Sequence, residues 1–428
     1  MRRGRLRQWR ARALAATASL ALSLLAAEVA VDRFLPVGGD VYTLDALLLH
    51  DAQPNARRVQ PMPAAAVGDG DAARVFVATN SLGLRGPELA TPKARPRILV
   101  LGDSYVMAEN VPFEATFVQQ LERALGARLV ADAARAGGGA DPRIARGVPT
   151  VAVECVNAGR SGYGPDQALL LAERLVPVVE PDALIIVLCA ANDLGDLARN
   201  KLFRLGPSGA LERCKPAVSA RVRRDFERRA ARAARPALLR LVDFARERRS
   251  APGWPMAEDP SLLVYYDELL TAQFESHFLD CDTTVDWLFE DIYDSVHALA
   301  PSGVIAQRSR ALLTAVLREL GALAAARGIP CAAVVTPAAP DLVPGLLVRI
   351  TPESHPGYVR GTLPRLHREA AEAAGLRVVD TSAAFAAAPQ PSELFVGGGD
   401  LHWNARGQAV AARVVADALA TWDVWVQR

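Results

Sequence analysis

The sequence predicts an α/β protein built on a parallel, doubly wound sheet. That expectation rests on short all-apolar runs of strand length, on helical repeats bounded by proline or glycine, and on the alternation of the two along the chain. An all-apolar strand suits a sheet that helices cover on both faces. In such sheets the reactive loops lie at the carboxyl ends of the strands, so the residues just after each strand are the ones to read for function.

Arg97-Ile-Leu-Val-Leu101, between Pro96 and Gly102, reads as the first strand. Phe117, Val118, Leu121 and Leu125 place a helix after it, ended by Gly126, and residues 135–149, with Gly137-Gly138-Gly139 and two prolines, read as a loop. Val151–Val156 is the next strand, Pro165 opens a helix through about Val179, and Ala183–Cys189 is a third strand. A helix over about Ile305–Arg327 is capped by Gly328, followed by a strand at Cys331–Val335, a helix before Gly375, a strand at Leu376–Val379 and a last helix from about Ala405 to Ala420.

Between about Asp196 and Ala300 the alternation fails. Residues 221–249 hold 11 arginines against four acids, whereas residues 251–300 hold 11 acids and no Lys or Arg, with eight of the 25 aromatics. Two neighbouring stretches of opposite charge predict a helical insertion that folds back on itself; a substrate-lining cap or a surface for another protein are the alternatives.

Six of the first 12 residues are arginine, residues 13–27 carry no charge, and the apolar character runs on to Val31 before Asp32, Arg33 and Pro36 end it. A basic flank before about 19 mostly apolar residues fits a signal peptide or a membrane anchor. Ala26-Ala27 leads into Glu-Val-Ala-Val-Asp-Arg-Phe-Leu and not into a polar mature start, which favours an uncleaved anchor. The positive-inside rule then leaves the arginines in the cytoplasm and exports the rest, into the periplasm if the cell is Gram-negative. The expected organisation is a basic tail at 1–12, a transmembrane anchor at 13–35, a Pro/Gly/Ala-rich spacer at 36–95, a catalytic domain at 96–195 and 300–428, and a helical insertion or cap at 196–299.

The net charge of +2 is a cancellation. Only three of the 49 basic residues are lysines, and removing the first 12 residues leaves 43 basic against 47 acidic, a body at −4. A general polyanion-binding role loses its basis, so no nucleic-acid partner is expected. Of five cysteines, Cys155, Cys189 and Cys331 lie in apolar runs and read as small core residues, whereas Cys214 and Cys281 lie in a polar region and could pair in an oxidising compartment.

The chemistry lies in four post-strand runs. Gly102-Asp103-Ser104-Tyr105 puts a hydroxyl at the end of the first strand, a weak nucleophile until a base takes its proton. Asp400-Leu401-His402-Trp403-Asn404 supplies His402 as that base and Asp400 to orient its imidazole. Asn157-Ala-Gly-Arg-Ser-Gly-Tyr-Gly164 offers the backbone N–H of Gly162, and Ala190-Ala-Asn192-Asp193 offers the Asn192 amide; with the Ser104 N–H these can stabilise an oxyanion. Each run alone is ordinary, since Gly and Asn-Asp favour turns. Their joint placement at strand ends of one sheet is the stronger observation.

In these four runs the chain resembles the SGNH or GDSL hydrolases, over roughly residues 97–195 and 300–421. The resemblance implies a flavodoxin-like three-layer α/β/α sandwich and a Ser-His-Asp esterase or acyltransferase mechanism through an acyl-enzyme. Three departures stand out: Ala190 where the third block usually begins with glycine, Asp400 and His402 two residues apart where three is common, and Tyr105 where the family name has leucine. The Asp-x-His-Trp form resembles the enzymes that O-acetylate alginate and other exported polysaccharides, although in those the motif precedes the serine.

Asp103, Asp193, Asp400 and His402 could also be read as metal ligands of a phosphoesterase, but only His402 of six histidines falls in a post-strand run, and no glycine-rich phosphate loop is present. The expectation is therefore a membrane-anchored exported serine esterase acting on O-acetyl or short acyl esters of a small molecule, lipid or glycan, without metal or cofactor. An O-acyltransferase acting on an exported polysaccharide, and a non-catalytic binding module of the same fold, are the alternatives.

Overall fold

Ile98, Leu99, Val100 and Leu101 are all fully buried, the outcome for a strand covered on both faces. The computed structural model describes residues 2–61, 74–135, 153–250, 284–286, 294, 297–298, 300–342, 359–397 and 400–422. At its centre lie five parallel strands: β1 (Arg97–Gly102), β2 (Glu154–Gly159), β3 (Ala183–Leu188), β4 (Cys331–Val335) and β5 (Arg377–Asp380). Their order is β2-β1-β3-β4-β5, the flavodoxin-like order, whose direction of winding reverses at β1 and β3.

The helices that matter below are α1 (Arg2–Phe34), α2 (Ser104–Met107), α3 (Phe117–Arg135), α4 (Pro165–Val179), α5 (Asp193–Asn200), α6 (Ala220–Ala233), α7 (Ala237–Ser250), α8 (Val304–Ala325), α9 (Thr362–Ala373) and α10 (Ala405–Leu419). Alternate strand residues feed two cores. Leu99, Leu101, Leu184, Ile186 and Val335 pack under α4, α8 and α9, while Ile98, Val100, Ile185, Val187 and Val334 pack under α3 and α10. These are the three layers of a flavodoxin-like α/β/α sandwich.

Several local expectations change. Helix α3 runs through Gly126 to Arg135, because the lost helix propensity of one glycine, about 1 kcal/mol, is outweighed by burial of Leu121 and Leu125. Residues 36–95, expected as a spacer, carry two antiparallel hairpins, Tyr42–Asp45 with Leu49–Ala52 and Arg57–Pro61 with Arg74–Ala78. Val41, Tyr42, Val75 and Val77 form a third core with Met107, Val222 and Phe226. The expected boundary at 195/196 cuts through α5, whose residues are all buried. The insertion continues as a Phe203–Leu205/Leu211–Arg213 hairpin and then α6 and α7. Most of the acidic stretch 251–300 lies outside the described residues, and with it the expected pairing against the basic helices.

Cys155 and Cys189 are buried free thiols, Cys331 is a half-buried one, and Cys214 is disulfide-bonded; Cys281 lies outside the described residues. Helix α1 is exposed along nearly its whole length, and from Arg7 to Phe34 it is long and apolar enough to cross a membrane. Its far end is fastened to α7. The Glu28 carboxylate accepts the backbone N–H groups of Ala237 and Leu238, the latter at 3.0 Å, and Arg240 pairs with Asp32 while donating to the Val37 carbonyl at 3.1 Å.

Candidate active site

Strand β1 ends at Gly102, and the next residue starts a helix. The Asp103 carboxylate accepts the Tyr105 N–H at 2.9 Å, capping α2 so that Ser104 is its first residue, and Ala108 in the left-handed region closes it one turn later. Ser104 thus stands half-buried on a sharp strand-to-helix turn. Such a turn needs room beneath it. Gly159, paired with Gly102 in register, provides that room: a Cβ there would lie 2.2 Å from the Met107 nitrogen.

The expected loop carrying Asp400 and His402 is a short antiparallel ribbon, Phe395–Gly397 with Asp400–Trp403. Trp403 is fully buried, with its ring centroid 5.1 Å from that of Tyr105 and 5.0 Å from that of Phe385, and its carbonyl accepts from Asn110 Nδ2 at 2.8 Å. Asn404 caps α10 by accepting the N–H groups of Arg406 and Gly407, and its own amide donates to the Glu393 and Phe395 carbonyls. Two fixed residues after it hold the His402 backbone, while its ring stays partly exposed against the Tyr105 ring, at a centroid distance of 5.1 Å.

His402 Nε2 lies 2.7 Å from Ser104 Oγ, and His402 Nδ1 lies 2.6 Å from Asp400 Oδ1. The same carboxylate oxygen accepts the His402 backbone N–H at 2.8 Å. Burial raises the Asp400 carboxyl, but the hydrogen bonds and charge of His402 outweigh it and hold it below the ordinary carboxylate value. An ionised Asp400 fixes the proton on Nδ1 and leaves Nε2 as an acceptor facing the serine hydroxyl, the arrangement a general base needs.

Gly162 and Asn192 are buried on the loops after β2 and β3, the strands on either side of β1. Gly162 adopts φ +74°, a conformation that favours glycine, and its carbonyl accepts from Arg199 Nη2 at 2.8 Å. Arg199 in turn pairs with Asp196 at 2.9 Å, both of them buried. Next to Gly162, Tyr42 Oη accepts the Ser161 N–H and His50 Nε2 donates to the Ser161 carbonyl, each at 2.9 Å. Burial pushes the His50 imidazole down to about 3, so it stays neutral. The buried Arg160 guanidinium bridges Asp51, at 2.7 Å, and the Gly159 carbonyl, at 3.0 Å. The loop is therefore gripped from one side by the Tyr42–Ala52 hairpin and from the other by α5.

Sequence reasoning missed this grip: His50, Asp51 and Arg199 stand in no motif, and Arg160, although inside the run 157–164, looks like any surface arginine. Asp103 and Asp193, weighed as metal ligands from the sequence and set aside there, both serve turns. Asp193 accepts the Cys189 N–H at 2.9 Å, and burial together with the charges of Asp103, Asp196 and Asp294 pushes its carboxyl well above the ordinary range. Asp294 caps α5 from about 100 residues away, accepting the Leu194 and Gly195 N–H groups at 2.9 Å each. Among the described residues no group of three or more His, Cys, Asp or Glu is arranged to hold a metal ion.

The fold is a three-layer α/β/α sandwich that carries Ser104, Gly162 and Asn192 just after three neighbouring strands of its sheet. Residues 283–426 match the family model for the SGNH hydrolase-like domain of the acetyltransferase AlgX, a stretch that holds Asp400 and His402 but not Ser104. The resemblance to the SGNH/GDSL family is thus of AlgX type in the C-terminal third of the chain. Among solved structures, the lipase/acylhydrolase from Enterococcus faecalis is 13% identical with a TM-score of 0.30, covering 76% of this chain and 95% of that one. LAE5, an alpha/beta hydrolase enzyme from the metagenome of Lake Arreo, Spain, is 14% identical with a TM-score of 0.34, covering 77% and 96%. No curated protein sequence matches the chain.

Proposed function

We propose that the protein is a membrane-anchored, exported serine esterase that removes O-acetyl or other short acyl groups through an acyl-enzyme. The observation that carries this reading is the continuous chain Ser104 Oγ, His402 Nε2, His402 Nδ1, Asp400 Oδ1, with links of 2.7 and 2.6 Å. Ser104 Oγ attacks the ester carbonyl as its proton passes to His402 Nε2, and Asp400 stabilises the imidazolium that forms. The backbone N–H groups of Ser104 and Gly162 and the Asn192 amide receive the oxyanion. His402 then protonates the departing alcohol, and the acyl group remains on Ser104 until an acceptor hydroxyl takes it.

That acceptor is water in an esterase and a sugar hydroxyl in a transferase. The match of residues 283–426 to an acetyltransferase domain favours the second reading, an O-acyltransferase working on an exported polysaccharide. The export reading draws support from α1 and from the disulfide at Cys214, a bond kept in oxidising compartments. Purified full-length protein labelled with a fluorophosphonate tests the nucleophile: labelling lost in Ser104→Ala supports it, and equal labelling of that variant refutes it. Acetate release with and without glycan acceptors then separates hydrolysis from transfer. An intact mass that includes Met1 in the membrane fraction supports the anchor over a cleaved signal.

A further inference from the structure

The basic helices of the insertion have an address. Residues 13–31 span about 28 Å as a helix, close to the thickness of a bilayer core. Glu28 precedes Val31 by three residues, so it sits within about 5 Å of the point where the anchor leaves the bilayer. The first two backbone N–H groups of α7 are bonded to that carboxylate, and Arg240 to Asp32, so the turn between α6 and α7 is held at the membrane boundary.

Helix α6 leads into that turn with one face buried and one exposed. Val222 and Phe226 pack into the third core, and Arg229 pairs with Asp40 at 2.9 Å. Arg221, Arg224 and Arg228, spaced three and four residues apart, are all exposed and form a stripe about 10 Å long. Arg221 and Arg224 form no ion pair among the described residues, and Arg228 pairs only with the exposed Asp225 among them, at 3.1 Å. On α7, Leu239 and Val242, one turn apart and exposed beside the anchor, add apolar contact at the same level.

We propose that α6 and α7 rest on the exported face of the membrane and that the stripe Arg221, Arg224 and Arg228 binds anionic phospholipid headgroups, an inference that rests on the uncleaved-anchor reading. A guanidinium matches a phosphate diester in charge and in the geometry of its paired donors. The remaining charge of the exported body is acidic, so attraction to such a surface is local to this stripe and orients the catalytic domain over the bilayer. Each arginine near an anionic surface strengthens attachment by about fivefold, and three of them together exceed the roughly tenfold effect sought below.

The test uses the full chain in lipid nanodiscs, neutral or with about one-third phosphatidylglycerol, read by hydrogen–deuterium exchange over residues 220–250. The expected result is exchange slowed by about tenfold or more in the anionic discs. In a protein carrying Arg221→Gln, Arg224→Gln and Arg228→Gln that difference disappears, with turnover of a soluble ester unchanged. Equal exchange in the two discs, or protection that survives in the variant, overturns the proposal in favour of a protein contact such as the acidic stretch of this chain. Protection by a soluble anionic polysaccharide in neutral discs, matching that of the lipid, overturns it in favour of a glycan site. Failure of the anchor reading looks different, since the chain then does not partition into discs and its mass lacks the apolar segment.

Discussion

Replacing Asp400 by Asn keeps the shape of the side chain and removes its charge. In the native protein Asp400 Oδ1 accepts two N–H groups of His402, from the ring at 2.6 Å and from the backbone at 2.8 Å. An Asn can still accept the backbone bond, but its bond to the ring is no longer charge-assisted, a loss of about 1.5–3 kcal/mol, or roughly 10- to 150-fold in rate. If the amide turns its NH2 toward Nδ1, the ring proton moves to Nε2 and the acceptor facing Ser104 is gone. In a well-studied serine protease that tautomer error takes the loss to about 10⁴. Asp400→Asn should therefore lower kcat by about 10 to 10⁴ on a chromogenic acetyl ester, with KM changed little because no substrate-binding atom is removed. Retention of more than one-tenth of kcat would refute the assignment of Asp400 and the role of the ring tautomer with it. Stability gives a second readout. Because the folded-state carboxyl is held below its unfolded value, its contribution is present at neutral pH and is lost as pH falls through the folded value. The variant should be slightly less stable than the native protein at pH 7, with the gap closing in acid.

Three further outcomes follow from the grip on the Gly162 loop. Gly162→Ala forces a side chain into φ +74°, costing about 1–2 kcal/mol, so its Tm should fall by a few degrees and kcat more steeply than 1/KM; unchanged turnover would remove Gly162 from the oxyanion site. Asp51→Ala strands the buried Arg160 guanidinium, and breaking a buried pair costs about 3–5 kcal/mol, readable as a shift in the urea midpoint; a shift under about 1 kcal/mol would show the pair to be solvated. Burial pushes Asp166 up to about 7 from 3.8, so the folded state holds this proton more tightly than the unfolded chain does. Stability should then decline as pH rises between those two values, and Asp166→Asn should flatten the decline; an identical pH profile in the variant would contradict this.

The central sheet was legible because its strands are written in one kind of residue. Ile98 to Leu101 and Leu184 to Leu188 carry no polar side chain, which is only tolerable between two helical layers. Ser104, Asp400 and His402 could be picked out because they belong to short runs whose chemistry is distinctive, although only Ser104 directly follows a strand and the other two lie in the ribbon strand Asp400–Trp403. The hairpins over residues 42–78 were not. Their strands are four or five residues long, include Arg57 and Arg58 side by side, and find partners across a gap of more than ten residues in Arg57–Ala78 pairing. The grip itself is written in long-range pairs, Asp51 to Arg160 and His50 to Ser161, which no local window contains. Helix α5 was divided because Asp196 and Arg199 look like the start of a charged insertion, while their mutual pairing makes them interior residues.

The hairpin between helix α1 and the sheet has a practical meaning for anyone who trims this chain. A fragment begun at Arg97, the natural cut by strand pattern, would retain Ser104, Asp400 and His402 yet discard Tyr42, His50 and Asp51, leaving Arg160 without its carboxylate and Ser161 without two of its hydrogen bonds. Such a fragment could be inactive with every catalytic atom present, and its silence would be misread as a failure of the chemistry. A shortened version has to begin before Val41, so that what is severed is helix α1 and not the frame of the Gly162 loop.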